Sequence, residues 1–144
     1  MSPEKDAELC AKYPKIFSNR DNPSEPIGCS GCECDDGWFD LIDTLCLSIQ
    51  SHIDSEVKCN NLSKTAVIKL QVKAEQIKEK FGELRFYVSG GDDTTRGMIS
   101  FAELMSKHIC ESCGNKATVR TSGWIRNLCQ SCADDRASQR NSDK

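Results

Sequence analysis

"CESCGNKATVRTSGWIRNLCQSC", residues 110–132, holds four of the chain's ten cysteines in two C-x-x-C pairs separated by fifteen residues. A C-x-x-C turn directs two sulfurs toward one point, so two such turns supply a tetrahedral set of thiolates at about 2.3 Å from a zinc ion. Gly114, just past the first pair, allows the left-handed backbone of a knuckle. Between the pairs, "KATVR" and "WIRNL" are short strand candidates around "TSG", and "CQSCADDRAS" begins a helix at the second pair. Knuckle, hairpin and a helix carrying the last two ligands is the order of a treble-clef zinc module. Cys110, Cys113, Cys129 and Cys132 fill all four positions with protein thiolates, which makes the expected metal structural rather than catalytic. The competing readings are two disulfides or buried thiols.

Basic residues gather around this module at Lys107, Lys116, Arg120 and Arg126, with Trp124 at the tip of the expected hairpin. Arg and Trp serve both nucleic-acid contacts and protein hot spots, so Arg120, Trp124 and Arg126 form the candidate binding surface. The alternative for Trp124 is that it folds over the small zinc core.

Working toward the N-terminus, "DDTTRGMISFAELMSKHIC" offers Asp and Thr caps. Met98, Phe101, Ala102, Met105 and Ile109 then fall on one helical face. Ahead of it, Ile68, Leu70, Val72 and Ala74 alternate with polar residues from Thr65 onward, the period of a half-buried strand. Leu84, Phe86 and Val88 alternate in a second strand beyond the turn candidate "KFGE". These two strands are expected to pair as an antiparallel hairpin. "AEQIKEKF" between them fits a helical turn as well as a bulged strand.

Earlier still, Trp38, Leu41, Ile42, Leu45, Ile49 and Ile53 recur at helical spacing behind Asp35 or Asp36 as N-cap, and Cys46 falls near that apolar face as a core residue. Pro14 to Gly31 reads as a long loop, punctuated by Pro14, Pro23, Pro26, Gly28 and Gly31. Within and beside it, Cys29, Cys32 and Cys34 form a second cysteine cluster. It would bind a second metal if Cys59, Cys10 or His52 folded back to complete the shell; otherwise these are small packed thiols.

The 144 residues are 38% hydrophobic and 28% charged, enough for one modest core. The N-terminus lacks the basic segment and apolar stretch of a signal peptide, and no run approaches the roughly 18 apolar residues of a membrane span. A cytosolic, non-membrane protein is therefore expected, where clustered cysteines signify metal more often than disulfide. The net charge of −3 conceals a gradient: residues 1–60 carry 5 Lys/Arg against 12 Asp/Glu, residues 61–109 carry 8 against 6, and residues 110–144 carry 6 against 4. Charge thus gives nucleic-acid binding no global support, only a local one near the cysteine module.

An enzyme is not expected. The two histidines, His52 and His108, lie far apart in sequence, and no nucleophile elbow, metalloprotease helix or phosphate-cradling loop is present. "GGDD" at residues 90–93 is better explained as a strand-to-helix turn with an Asp cap than as a cation site. A metal-dependent nuclease built on a treble clef carries histidines in its helix, and none follows Cys132.

Several blocks, "YPKIF", "CDDGWFDLIDTLC", "KEKFGELRFYVSGGDD", "RGMISFAELMS" and "CESCG" with "GWIRNLCQSC", span about Tyr13 to Cys132. Together they resemble a family of small proteins of unassigned function encoded by tailed phages and prophages. The resemblance implies a phage accessory protein in the cytoplasm of a bacterial host, of a kind that redirects or blocks a host system by binding it.

The sequence therefore predicts an α+β fold: an amphipathic helix and β-hairpin core over residues 1–109, a treble-clef-like four-cysteine zinc module over 110–136, and a disordered tail over 137–144. The expected function is non-catalytic binding of a host or phage macromolecule, a protein first, to inhibit a bacterial defence system. The alternative is a nucleic-acid-binding zinc module.

Overall fold

The computed structural model describes residues 1–20 and 31–142. The fold is α+β, with five α-helices and two small sheets in the order α1 (Pro3–Lys12), β1 (Cys32–Glu33), α2 (Phe39–Asn60), α3 (Lys64–Leu70), β2 (Lys73–Lys80), β3 (Glu83–Ser89), α4 (Asp93–Ser106), β4 (Val119–Arg120), β5 (Asn127–Leu128) and α5 (Gln130–Ser142). One sheet has the order β1-β2-β3, with β1 parallel to β2 and β2 antiparallel to β3; the other is the β4-β5 hairpin. No helix among the described residues is long and apolar enough to cross a membrane.

The core follows from the two periods in the sequence. From α2, Ile42, Leu45, Cys46, Ile49 and Ile53 are buried, and from the sheet Ala74, Ile77, Leu84 and Phe86 meet them. Trp38, in a single 3-10 turn at Asp36–Trp38, is fully buried and donates its indole N–H to the carbonyl of Ile109 at 3.2 Å. Asp35 holds the N-cap position of this turn, but neither its side chain nor that of Asp36 makes a capping bond to the turn or to α2. Asp36 instead accepts from the amide of Ser2 at 2.6 Å, and Asp35 is drawn to the cysteine module.

Three expectations are corrected. Residues 65–70, read as strand, form α3: the Ser63 side chain accepts from the amide of Ala66, an N-cap, and the alternation misled because Ile68 is exposed. The strand begins only at Lys73, and a register shift between Ala74 and Gln76 makes "AEQIKEKF" a bulged strand rather than a helical turn. Helix α4 is rotated from the expected face, burying Thr95, Ile99, Ala102 and Ser106 and leaving Phe101 exposed. In the described part of the expected tail, residues 137–142, α5 continues to Ser142.

Helix α1, not anticipated, seats Leu9 in the core, and the turns after it add Tyr13, Ile16 and Phe17. Tyr13 fixes it by donating its hydroxyl to Asp43 of α2 at 2.8 Å. Helix α4 lies along the outer edge of β3, where Glu103 accepts from the amide of Phe86 at 3.0 Å and Ser106 from that of Leu84 at 2.9 Å. The Asp92 cap expected from "GGDD" is present as a capping box with Thr95.

Candidate metal centre and the surface it supports

The knuckle is built by the backbone. Gly114, at φ +82, donates to the carbonyl of Cys110 at 2.8 Å, and the amide of Cys110 returns to the carbonyl of Asn115 at 2.7 Å. Strands β4 and β5 carry the chain back in register, Val119 opposite Leu128 and Arg120 opposite Asn127. Cys129 stands just ahead of α5 and Cys132 in its first turn. The sulfurs of Cys110, Cys113, Cys129 and Cys132 lie within 4.8 Å of one another, and Cys113 and Cys129 are 3.6 Å apart.

This set can hold a metal ion. A tetrahedron with metal–sulfur bonds of about 2.3 Å has edges of about 3.8 Å, close to the observed spacing. The backbone amide of Cys132 and the neighbouring thiols draw the Cys129 thiol down to about 7, whereas its proximity to Cys129 pushes Cys132 up. Four thiols this close cannot all ionise unless a cation neutralises them.

Of the second cysteine cluster, the described members Cys32, Cys34 and Cys59 do not gather at metal-binding distance. Cys29 lies outside the described residues. Cys32 and Cys34 are buried beside the sheet, and burial pushes the Cys34 thiol up to about 12, favouring the protonated form. Cys59 is exposed near the far end of α2, about 30 Å along the helix from its start. Among the described residues, the four C-terminal cysteines are the one group of three or more ligand side chains at metal-binding distance. Cys10 accepts from Arg20 at 2.8 Å, and His52 from α2 sits 2.7 Å from Asp92, the cap of α4. Cys46 is fully buried in the core.

The four-cysteine module is docked on the core through Arg126. Its guanidinium donates to Glu111 at 3.0 Å and to Asp35 at 2.5 Å, while Glu111 also accepts from the amide of Asp35 at 3.2 Å. Glu111 is almost wholly buried inside the first knuckle. The paired carboxylates hold the Arg126 guanidinium firmly charged despite its partial burial. Arg126, expected on a binding surface, thus turns inward: its side chain is 13% exposed, and its Nε and Nη2 are engaged by Glu111 and Asp35. Gly37 completes the joint, donating to the carbonyl of Glu111 at 2.7 Å.

Arg120 and Trp124 remain on the surface, and the fold adds Phe81 to them. Asn127, buried, donates to the carbonyl of Gly82 at 2.6 Å, and Arg120 reaches the carbonyl of Phe81 at 3.4 Å. These bonds lock the tip of the β2-β3 hairpin beside the β4-β5 hairpin. Thr121 braces the latter, donating to the carbonyl of Trp124 and accepting from the amide of Arg126. A cleft of about 230 Å³ lies between the two tips, lined by Glu79, Lys80, Phe81, Gly123, Trp124 and Ile125. Trp124 is 69% exposed and Phe81 63%, so Trp124 does not fold over the cysteine cluster.

Phe81 and Gly82 are the two central residues of a tight hairpin, with φ of +58 and +80, between the paired Lys80 and Glu83. Such turns favour Asn-Gly, because positive φ is costly for a bulky side chain. "KFGE" at 80–83 carried this signal in the sequence: an aromatic where a turn asks for Asn. Gly37, Glu111 and Asn127 had no comparable signal, since their roles arise only when distant segments meet.

Comparison of the chain with protein-family models, with curated proteins and with solved structures found no match.

Proposed function

We propose that this chain is a non-catalytic recognition protein. In this reading its four C-terminal cysteines bind one structural zinc ion in a treble-clef-like module, and the Phe81–Trp124 cleft binds a macromolecule, a protein. Zinc suits a closed set of four thiolates, which leaves no position for water or substrate. The observation that carries the reading is Phe81: a bulky aromatic at φ +58, 63% exposed, facing an equally exposed Trp124 across a cleft. Strain and exposed apolar area both cost stability, and their coincidence at one rigid site supports a binding role.

The resemblance to phage and prophage proteins supports the remainder: a partner in the cytoplasm of a bacterial host, bound so as to inhibit a defence system. The test is site-specific photo-crosslinking from the exposed position 122, beside the cleft, in infected cells. One dominant adduct that disappears in Trp124→Ala supports the reading, and adducts unchanged by that substitution refute it. A second reading, nucleic-acid binding, is favoured by Lys78, Lys80 and Arg120 beside the aromatics. Retention of single-stranded oligonucleotide with a steep salt dependence would select it.

A further inference from the structure

Resting on the reading of the Phe81–Trp124 cleft as a protein-binding site, we infer that its partner is an acidic peptide segment carrying one bulky apolar anchor residue. The anchor enters the cleft between the two hairpin tips, and the acidic residues flanking it meet Lys80 and Arg120 on the rim, with Lys78 farther along the same sheet.

The apolar half follows from the lining. Phe81, Trp124 and Ile125 present carbon surface, and Gly123 offers a wall without a side chain. An aliphatic or aromatic side chain seated there removes its own surface and theirs from water together. The cleft is preformed, because Asn127 and Arg120 fix its two sides through the backbone of the β2-β3 turn. Little ordering is left for the binding step.

The acidic half follows from the cations. No ion pair among the described residues engages Lys78, Lys80 or Arg120, whereas the neighbouring Arg85 and Lys107 are both committed to Glu83. Lys80 lies over the ring of Phe81 at 5.6 Å, and Lys78 over that of Tyr87 at 5.7 Å. A positive rim around an apolar slot selects negative flanks on the incoming segment.

A nucleic acid fits the same surface less well. Glu79 lines the cleft, its carboxylate fixed by accepting from the amide of Gly82 at 2.6 Å, and Glu75 lies beside Lys78 and Tyr87 on the same sheet. A phosphodiester chain carries a charge at every step and has to pass these carboxylates. A peptide places a neutral residue there and its charges elsewhere.

The experiment is selection of a displayed library of short random peptides on the full-length, metal-loaded protein, with counter-selection on the double variant Phe81→Asn/Trp124→Ala. Enriched peptides are expected to share a net negative charge and one Leu, Ile, Met, Phe or Trp. Lys80→Glu with Arg120→Glu weakens the best of them by about tenfold or more, and exchanging the peptide's acids for lysine restores binding to that variant. Enrichment of neutral or basic peptides, or an enriched set indifferent to the charge reversal, overturns the acidic partner while leaving the cleft as the binding site. Failure of any peptide to survive counter-selection, or tighter binding of a single-stranded oligothymidylate than of any peptide, overturns the peptide assignment itself. Position-122 crosslinking to a host protein then separates that failure from a failure of the recognition reading.

Discussion

The amide of Gly37 donates to the carbonyl of Glu111 at 2.7 Å, joining the entry of α2 to the interior of the first cysteine knuckle. A Cβ at Gly37 would overlap the carbonyl oxygens of Cys110 and Glu111 and the amide of Gly114, all of them backbone atoms with no freedom to move aside. Gly37→Ala is therefore expected to lower stability by about 3 kcal/mol. Urea unfolding measures the loss, and Gly97→Ala, where an added Cβ meets nothing within 4 Å, is the control.

Loss of metal should be felt in the same place. Elemental analysis is expected to give about one zinc per chain, falling to near zero in Cys129→Ser. Because Gly114 and Glu111 lie within the knuckle, removing the metal should accelerate hydrogen exchange at Gly37 while leaving Ile49, in the middle of α2, slow. Two equivalents of zinc would point back to the Cys29, Cys32 and Cys34 cluster as a second site.

Arg120 and Arg126 are close in the hairpin yet should respond very differently to truncation. Arg126→Ala leaves Glu111 buried without its cation and is expected to cost about 3–5 kcal/mol. Arg120→Ala removes an exposed side chain and should remain within about 1 kcal/mol of wild type. Thermal melts of the two variants decide this, and equal losses would contradict the assignment of Arg126 to the interior joint.

How much of this was legible in the sequence divides along a physical line. The α2 core face, strand β3 and the gathering of the four C-terminal cysteines were readable because each depends on spacing within a short segment. Helix α3 was missed because its cap at Ser63 outweighed an alternation that did not track burial. The misplacement of Arg126 has a different origin. An arginine's partners decide whether it is a surface or a joint, and Asp35 stands 91 positions away. Phe81 passed as an ordinary hairpin residue until Asn127 brought Trp124 beside it.

Acid should weaken the contact between α2 and α4. Burial opposes ionisation of Asp92, but the His52 ring and the amide and hydroxyl of Thr95 more than offset it and hold its carboxyl below the usual carboxylate range. A depressed folded-state value contributes stability that is fully present above the unfolded value of about 3.9 and is lost as pH falls through the folded value. The stability difference between wild type and Asp92→Asn is therefore expected to be constant near neutrality and to shrink between roughly pH 5 and pH 2. Denaturation series at several pH values measure it.

Phe81→Asn is expected to raise stability by about 0.5–1 kcal/mol, since Asn accepts positive φ at the first position of this turn. The same substitution should abolish capture of the partner. Opposite signs for stability and binding at one residue are the outcome that a purely structural Phe81 would not give.

The covering of β3 by Glu103 and Ser106 has a consequence for the protein's behaviour in concentrated solution. An outer strand with bare amides is a template for another chain, and here the amides of Leu84 and Phe86 are already occupied by side chains of α4. Resistance to fibril growth along this border is thus contingent on one helix staying folded. Seeding of fibrils should begin where α4 first unwinds, and Glu103→Ala with Ser106→Ala should bring that onset to lower protein concentration.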